Sequence, residues 1–114
     1  MRLDEIVRAL GLEILTPVAD LSRTVDNGYT GDLLSDVLAG ARSGDLWTTI
    51  QRHANVVAVA KVTGIAAIVI AGGARPSGDV LQKAEAEGVP ILATPDPLFA
   101  ITGRIHRLLF PEEG

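Results

Sequence analysis

Three polar clusters interrupt the apolar runs of this chain where ligand chemistry could be done. The first, Gly72-Gly73-Ala74-Arg75-Pro76-Ser77, follows directly on the apolar run Ile65 to Ala71. Adjacent glycines tolerate positive φ and carry no side chain, so the N–H groups of Gly72 and Gly73 can approach a ligand closely. Ser77 is placed to cap a following helix, whose positive end together with Arg75 suits a phosphate or carboxylate. The simpler alternative is a tight turn with Arg75 in solvent, because neither a P-loop Lys-Ser/Thr nor a dinucleotide glycine spacing is present. The second cluster, Gln51, His53 and Asn55, offers paired donors and acceptors able to read a nucleobase edge or another polar ligand, or else to cap a helix. The third, Thr94-Pro95-Asp96, places a hydroxyl after Val89 to Ala93.

Other chemistries find less support. The chain has no cysteine, which removes thiol catalysis and Cys-ligated metal or cluster sites. His53 has no second His and no carboxylate at metal-ligand spacing, so no metal site is expected, and no cofactor motif is legible. Asp32 and Asp36 stand four apart and on a helix would share a face for a cation or acid/base pair, but an N-cap at Asp32 and a solvated Asp36 account for them. Ser35, His53 and Asp36 form no nucleophile elbow. His106, between Arg104 and Arg107, suits the carboxyl end of a helix.

The elements that must position these residues read as strand, turn and helix three times over. The runs Leu46 to Ile50, Ile65 to Ala71 and Val89 to Ala93 are strands, each followed by one of the polar clusters. In an open α/β sheet such loops leave the carboxyl ends of parallel strands and converge on one rim. Helices are expected over Asp4 to Leu10, stopped by Gly11; Asp32 to Arg42, capped by Asp32; Asn55 to Val62; Ser77 to Glu87, followed by Gly88; and Asp96 or Pro97 to Leu109. Glu13 to Thr16 reads as a short strand ended by Pro17, and Asp20 to Tyr29 as a polar connection with its turn at Asn27-Gly28. The helix Asn55 to Val62 is apolar almost all round, which predicts cover on more than one side and suggests dimerisation through it.

Size and composition agree with this layout. One domain over 1–114, with its core at about 14–109, is large enough to fold without staples. Nearly half the residues are apolar yet few are aromatic, as expected for a mostly parallel Val/Ile/Leu/Ala sheet covered by helices, an α/β fold. A net charge of −4 argues against nucleic acid and anionic membrane as partners. No uninterrupted membrane span is present, and acids at Asp4 and Glu5 are unlike a signal peptide, so a cytoplasmic location is expected.

Gly31 to Ala39, Gly44 to Gln51, His53 to Ala60 and Ile70 to Pro76 together resemble the DRTGG-domain family, a likeness covering about Thr16 to Leu109. The resemblance implies a small homodimeric α/β domain similar to the amino-terminal domain of HPr kinase/phosphorylase. It also implies a regulatory or assembly role, since relatives accompany phosphotransacetylase and CBS-containing pyrophosphatase domains or are encoded near hydrogenase subunits. Three functions follow as expectations. The first is a non-catalytic homodimeric module sensing a nucleotide or phosphorylated metabolite through Gln51, His53, Asn55, Gly72, Gly73, Arg75, Ser77 and Thr94. The second is a dimerisation or scaffold subunit acting on a partner such as a hydrogenase or metabolic enzyme. The third is a small hydrolase or phosphotransfer enzyme using His53 with Asp32 or Asp36.

Overall fold

The computed structural model describes residues 1–113. In chain order the elements are α1 (Leu3–Leu10), β1 (Glu13–Ile14), β2 (Asn27–Thr30), α2 (Leu34–Gly40), β3 (Asp45–Thr49), α3 (Asn55–Thr63), β4 (Ala67–Ile70), α4 (Gly78–Glu87), β5 (Ile91–Ala93) and α5 (Leu98–Leu109). The strands form one sheet in the order β1-β5-β4-β3-β2; β2 to β5 are parallel and β1 is antiparallel. This is the mostly parallel, helix-covered α/β sheet expected from the sequence.

Every residue of β3, β4 and β5 is buried. A parallel strand buried on both faces needs apolar cover above and below. From β2 to β5 each strand lies beside its predecessor in one direction, so crossovers of a single hand place their helices on one face. Val37 of α2, Val56 and Val57 of α3, and Val80 and Ala84 of α4 accordingly pack with Trp47, Ile68, Ile70 and Ile91. Leu3 and Ile6 of α1 with Ile101 and Ile105 of α5 cover the other face, against Leu46, Val69 and Leu92. None of the helices among the described residues is long and apolar enough to cross a membrane.

Three local expectations are corrected. The first concerns Asn27-Gly28, which opens β2 instead of forming a turn. As an edge strand β2 needs only backbone pairing along β3, so its sequence shows no apolar alternation. Tyr29 lies over Gly40, where a Cβ would come within 2.8 Å of the ring, and its hydroxyl donates to the Asp36 carbonyl at 3.1 Å.

The second is the start of α2. Leu33, not Asp32, is its N-cap residue, and no side chain caps it. The Asp32 carboxylate instead accepts from the Thr49 hydroxyl at 2.8 Å and the Ile50 N–H at 2.9 Å, while Gln51 Nε2 donates to the Asp32 carbonyl at 2.9 Å. The loop after β2 is thus tied to the loop after β3, and Asp32 and Asp36 share no helix face. The buried Trp47 reinforces the tie through Nε1–H to the Gly31 carbonyl at 2.9 Å.

The third concerns α3, whose nearly all-round apolar sequence predicts cover on more than one side and suggests dimerisation through it. Val56, Val57, Val59 and Ala60 are buried inside the chain, flanked by α2 and α4, while Val62 is 77% exposed. Dimerisation is not required to cover this helix.

Asp32 therefore matters more than a cap. Asp32→Ala leaves the fully buried Thr49 hydroxyl and the Ile50 N–H without their acceptor and is expected to cost about 1–3 kcal/mol in chemical denaturation. Asp36→Ala, on an exposed helix position, should stay within about 0.5 kcal/mol. Equal effects of the two would contradict this role of Asp32.

Candidate functional site

The carboxyl ends of the four parallel strands bring residues 31–33, 50–54, 71–77 and 94–97 to one rim. These loops are tied in pairs. Asp32 joins the first two, as described above. Gly72 and Gly73, at φ of 75° and 78°, turn their N–H groups to the Asp96 carbonyl at 2.7 Å and the Thr94 carbonyl at 3.1 Å, which joins the last two. Glycine is needed for that left-handed turn, but the two amides serve the neighbouring loop and are not left for a ligand. Thr94 is buried; its hydroxyl accepts from the Asp96 N–H at 3.2 Å and its own N–H donates to the Ile70 carbonyl.

Between the two tied pairs, at the junction of β3 and β4, the rim is open. Here Arg52, His53, Ala54, Arg75, Ser77 and Val80 line a depression of about 340 Å³. Ser77 caps α4 as its sequence position predicts, with its Oγ accepting from the Val80 N–H at 3.4 Å. The remaining N–H groups of that first turn give the depression a partial positive charge. Arg52 adds a full one, while the charge of Arg75 is paired with Glu13 and Asp79 puts an acid in the first turn of α4. His53 and Asn55 are exposed beside it, and the His53 carbonyl accepts from Val56 N–H at the start of α3.

Of the expected ligand residues, the structure brings His53, Arg75 and Ser77 around one depression. Asn55 stands one residue further into α3. Gly73, Arg75 and Thr94 line a second, adjoining depression of about 240 Å³. Gln51 is turned toward the loop after β2 by its bond to Asp32, and Gly72 acts through its backbone.

Two residues were missed. Arg52 is absent from the ligand set expected from the sequence, although its place in the loop after β3 is a usable signal. Glu13 was read only as part of a short strand. Its carboxylate takes Arg75 in a two-pronged ion pair, Nη1 to Oε1 at 2.7 Å and Nη2 to Oε2 at 2.8 Å. No local signal links residues 62 apart in sequence, so this pair was not legible.

The arrangement favours anion binding over acid/base chemistry. The Asp96 carboxylate is held by Arg104 Nη1, at 2.6 Å, and that of Asp32 by Thr49 and Ile50. No three His, Cys, Asp or Glu side chains converge as metal ligands among the described residues.

The Glu13–Arg75 pair has a pH signature. Hydrogen bonding and charge from Arg75 hold the Glu13 carboxyl below its ordinary range. A depressed carboxyl pKa stabilises the fold above the unfolded value, and that contribution is lost as pH falls through the folded value. Glu13→Gln is therefore expected to lower Tm at neutral pH and to match wild type in acid, below the Glu13 titration. Since both side chains are more than half exposed, added salt should shrink the neutral-pH difference. A Tm difference unchanged from neutral pH into acid would contradict the pair's contribution.

The family model for the DRTGG domain matches residues 5–108. No curated protein matches the chain. Among solved structures, the chain is similar to the CBS and DRTGG domains of the regulatory region of Clostridium perfringens pyrophosphatase, solved with the activator diadenosine tetraphosphate. The TM-score is 0.65 at 15% identity, covering 89% of this chain and 44% of that one. The likeness is one of fold, and the present chain spans less than half of that structure. With nearly its whole length matched by the family model, the chain belongs to the DRTGG domain family.

Proposed function

We propose that this chain is a non-catalytic, homodimeric regulatory module of the cytoplasm that takes a small anionic ligand, a nucleotide or phosphorylated metabolite, at the carboxyl rim of its sheet. The observation that carries the reading is the meeting of Arg52, His53, Arg75 and Ser77 around the open junction of β3 and β4, at the amino end of α4. Two guanidinium groups and a helix amino terminus are the donors a phosphate needs. A regulatory region complexed with a dinucleoside polyphosphate, in the pyrophosphatase whose fold this chain shares, supports the ligand class. A hydrolase built on His53 and Asp32 is disfavoured, because the Asp32 carboxylate already serves Thr49 and Ile50.

A second reading, a scaffold subunit acting through an enzyme partner, draws on apolar side chains left at the surface. Leu33 and Ile50 flank the Asp32 tie at 63% and 50% exposure, and Phe99, at the start of α5, is 92% exposed. Such side chains suit a protein interface, between copies or with a partner.

Thermal unfolding with adenine and guanine nucleotides, dinucleoside polyphosphates and phosphorylated metabolites separates the two. Binding to the native state at 100 times Kd adds about 2.7 kcal/mol, a rise of roughly 10 °C in Tm for a domain of this size. The rise should vanish in Arg75→Ala. No shift with any of these ligands would favour the scaffold. Sedimentation at micromolar concentration should show a dimer, and a stable monomer would remove the homodimer from the proposal.

A further inference from the structure

Arg75 already holds an anion. Both terminal nitrogens donate to both oxygens of Glu13, filling the planar fork that a phosphate would otherwise occupy. The pair crosses the depression of about 240 Å³ walled by Gly73, Ala93, Thr94 and Pro95, and Arg75 also lines the neighbouring depression with Arg52 and Ser77. One side chain thus serves both an internal carboxylate and the open side of the rim.

Glu13 reaches the rim because β1 is antiparallel. Glu13 pairs with Ala93, the last residue of β5, so the first residue of β1 lies where the parallel strands end. The two ends of this short segment are held differently. At the inner end Leu15 N–H donates to the Ile91 carbonyl at 2.9 Å, and the fully buried Thr16 accepts from the Ile91 N–H at 2.9 Å. At the rim end Glu13 and Ile14 are exposed, and the pairing there is only two residues long. Leu12, just before Glu13, is buried and its N–H donates to the Val7 carbonyl at 3.0 Å, so the backbone is fixed on both sides of the exposed pair.

We propose that Glu13 is a resident stand-in for the anionic ligand of Arg75, and that a polyanion binds by displacing its carboxylate. This rests on the reading of Arg75 as an anion-binding residue. Displacement exchanges one two-pronged acceptor for another, so no guanidinium donor is left unpaired. A singly charged carboxylate ligand has no advantage over a tethered carboxylate at high effective concentration. A di- or polyphosphate has more charge for Arg75 and further oxygens for Arg52 and the amino end of α4. The displaced Glu13 carboxylate then faces a like charge and swings into solvent, where its side chain is already more than half exposed.

Calorimetric titration of pyrophosphate and, separately, acetate into the whole chain tests this, with Glu13→Gln and Arg75→Gln as variants; both side chains are more than half exposed, so both variants should fold. Wild type should bind pyrophosphate and not acetate. Glu13→Gln should bind pyrophosphate about tenfold more tightly, the gain expected if the pair is closed in roughly nine molecules in ten. Arg75→Gln should lose binding. Equal affinity of wild type and Glu13→Gln, with binding still lost in Arg75→Gln, would overturn the stand-in and leave the anion site standing. Binding that survives Arg75→Gln, or none in wild type and Glu13→Gln alike, would overturn the anion site and the stand-in with it.

Discussion

The rest of this structure depends on the burial of a parallel sheet from both sides. With β3, β4 and β5 wholly buried, every backbone polar group there must be paired within the sheet and every side chain must meet a helix. Moving one strand at a time from β2 to β5 with crossovers of one hand puts α2, α3 and α4 together on one face. The opposite face is left to α1 and α5, from the two ends of the chain. Neither layer can be removed without exposing strands that have no polar face.

The same constraint creates the rim. Parallel strands must all end on the same side, so four connections compete for one edge, and their backbone groups need partners there. The chain meets this need with two ties, Asp32 to Thr49 and Ile50, and Gly72 and Gly73 to Asp96 and Thr94. Tying the first two loops and the last two loops leaves the middle junction open. The candidate site is thus the gap left between two satisfied pairs of loops, with Arg52 and the amino end of α4 beside it and Arg75 held in its ion pair with Glu13.

A single antiparallel strand adds a long-range charge contact to the rim. Reversal of β1 carries Glu13 to the edge where Arg75 emerges, and the two close a bidentate pair across 62 residues. The pair is exposed, so water and salt weaken it, and an arriving anion meets a neighbour that can yield. The glycine pair beside it has the opposite character. Its amides are bound into the next loop, which makes that part of the rim a rigid wall and not a cradle.

The sequence by itself determined the α/β class, the three strand–turn–helix units, the Ser77 cap of α4, the last helix with its end at Leu109 and the rim as the place where polar clusters gather. These follow from apolar runs, helical periodicity and capping residues, which act over a few neighbours. It did not determine β2, because an edge strand paired through its backbone need not alternate. Nor did it determine the work of Asp32, which looks like a cap until Thr49 and Ile50 are seen across the loop, or whether α3 is covered from inside the chain or outside it. Only the tertiary structure decided which loops were tied, which junction stayed open and which carboxylate met Arg75. The physical reason is that hydrogen bonds and ion pairs of this kind depend on distance in space, and the strand order that sets those distances joins residues the chain keeps far apart.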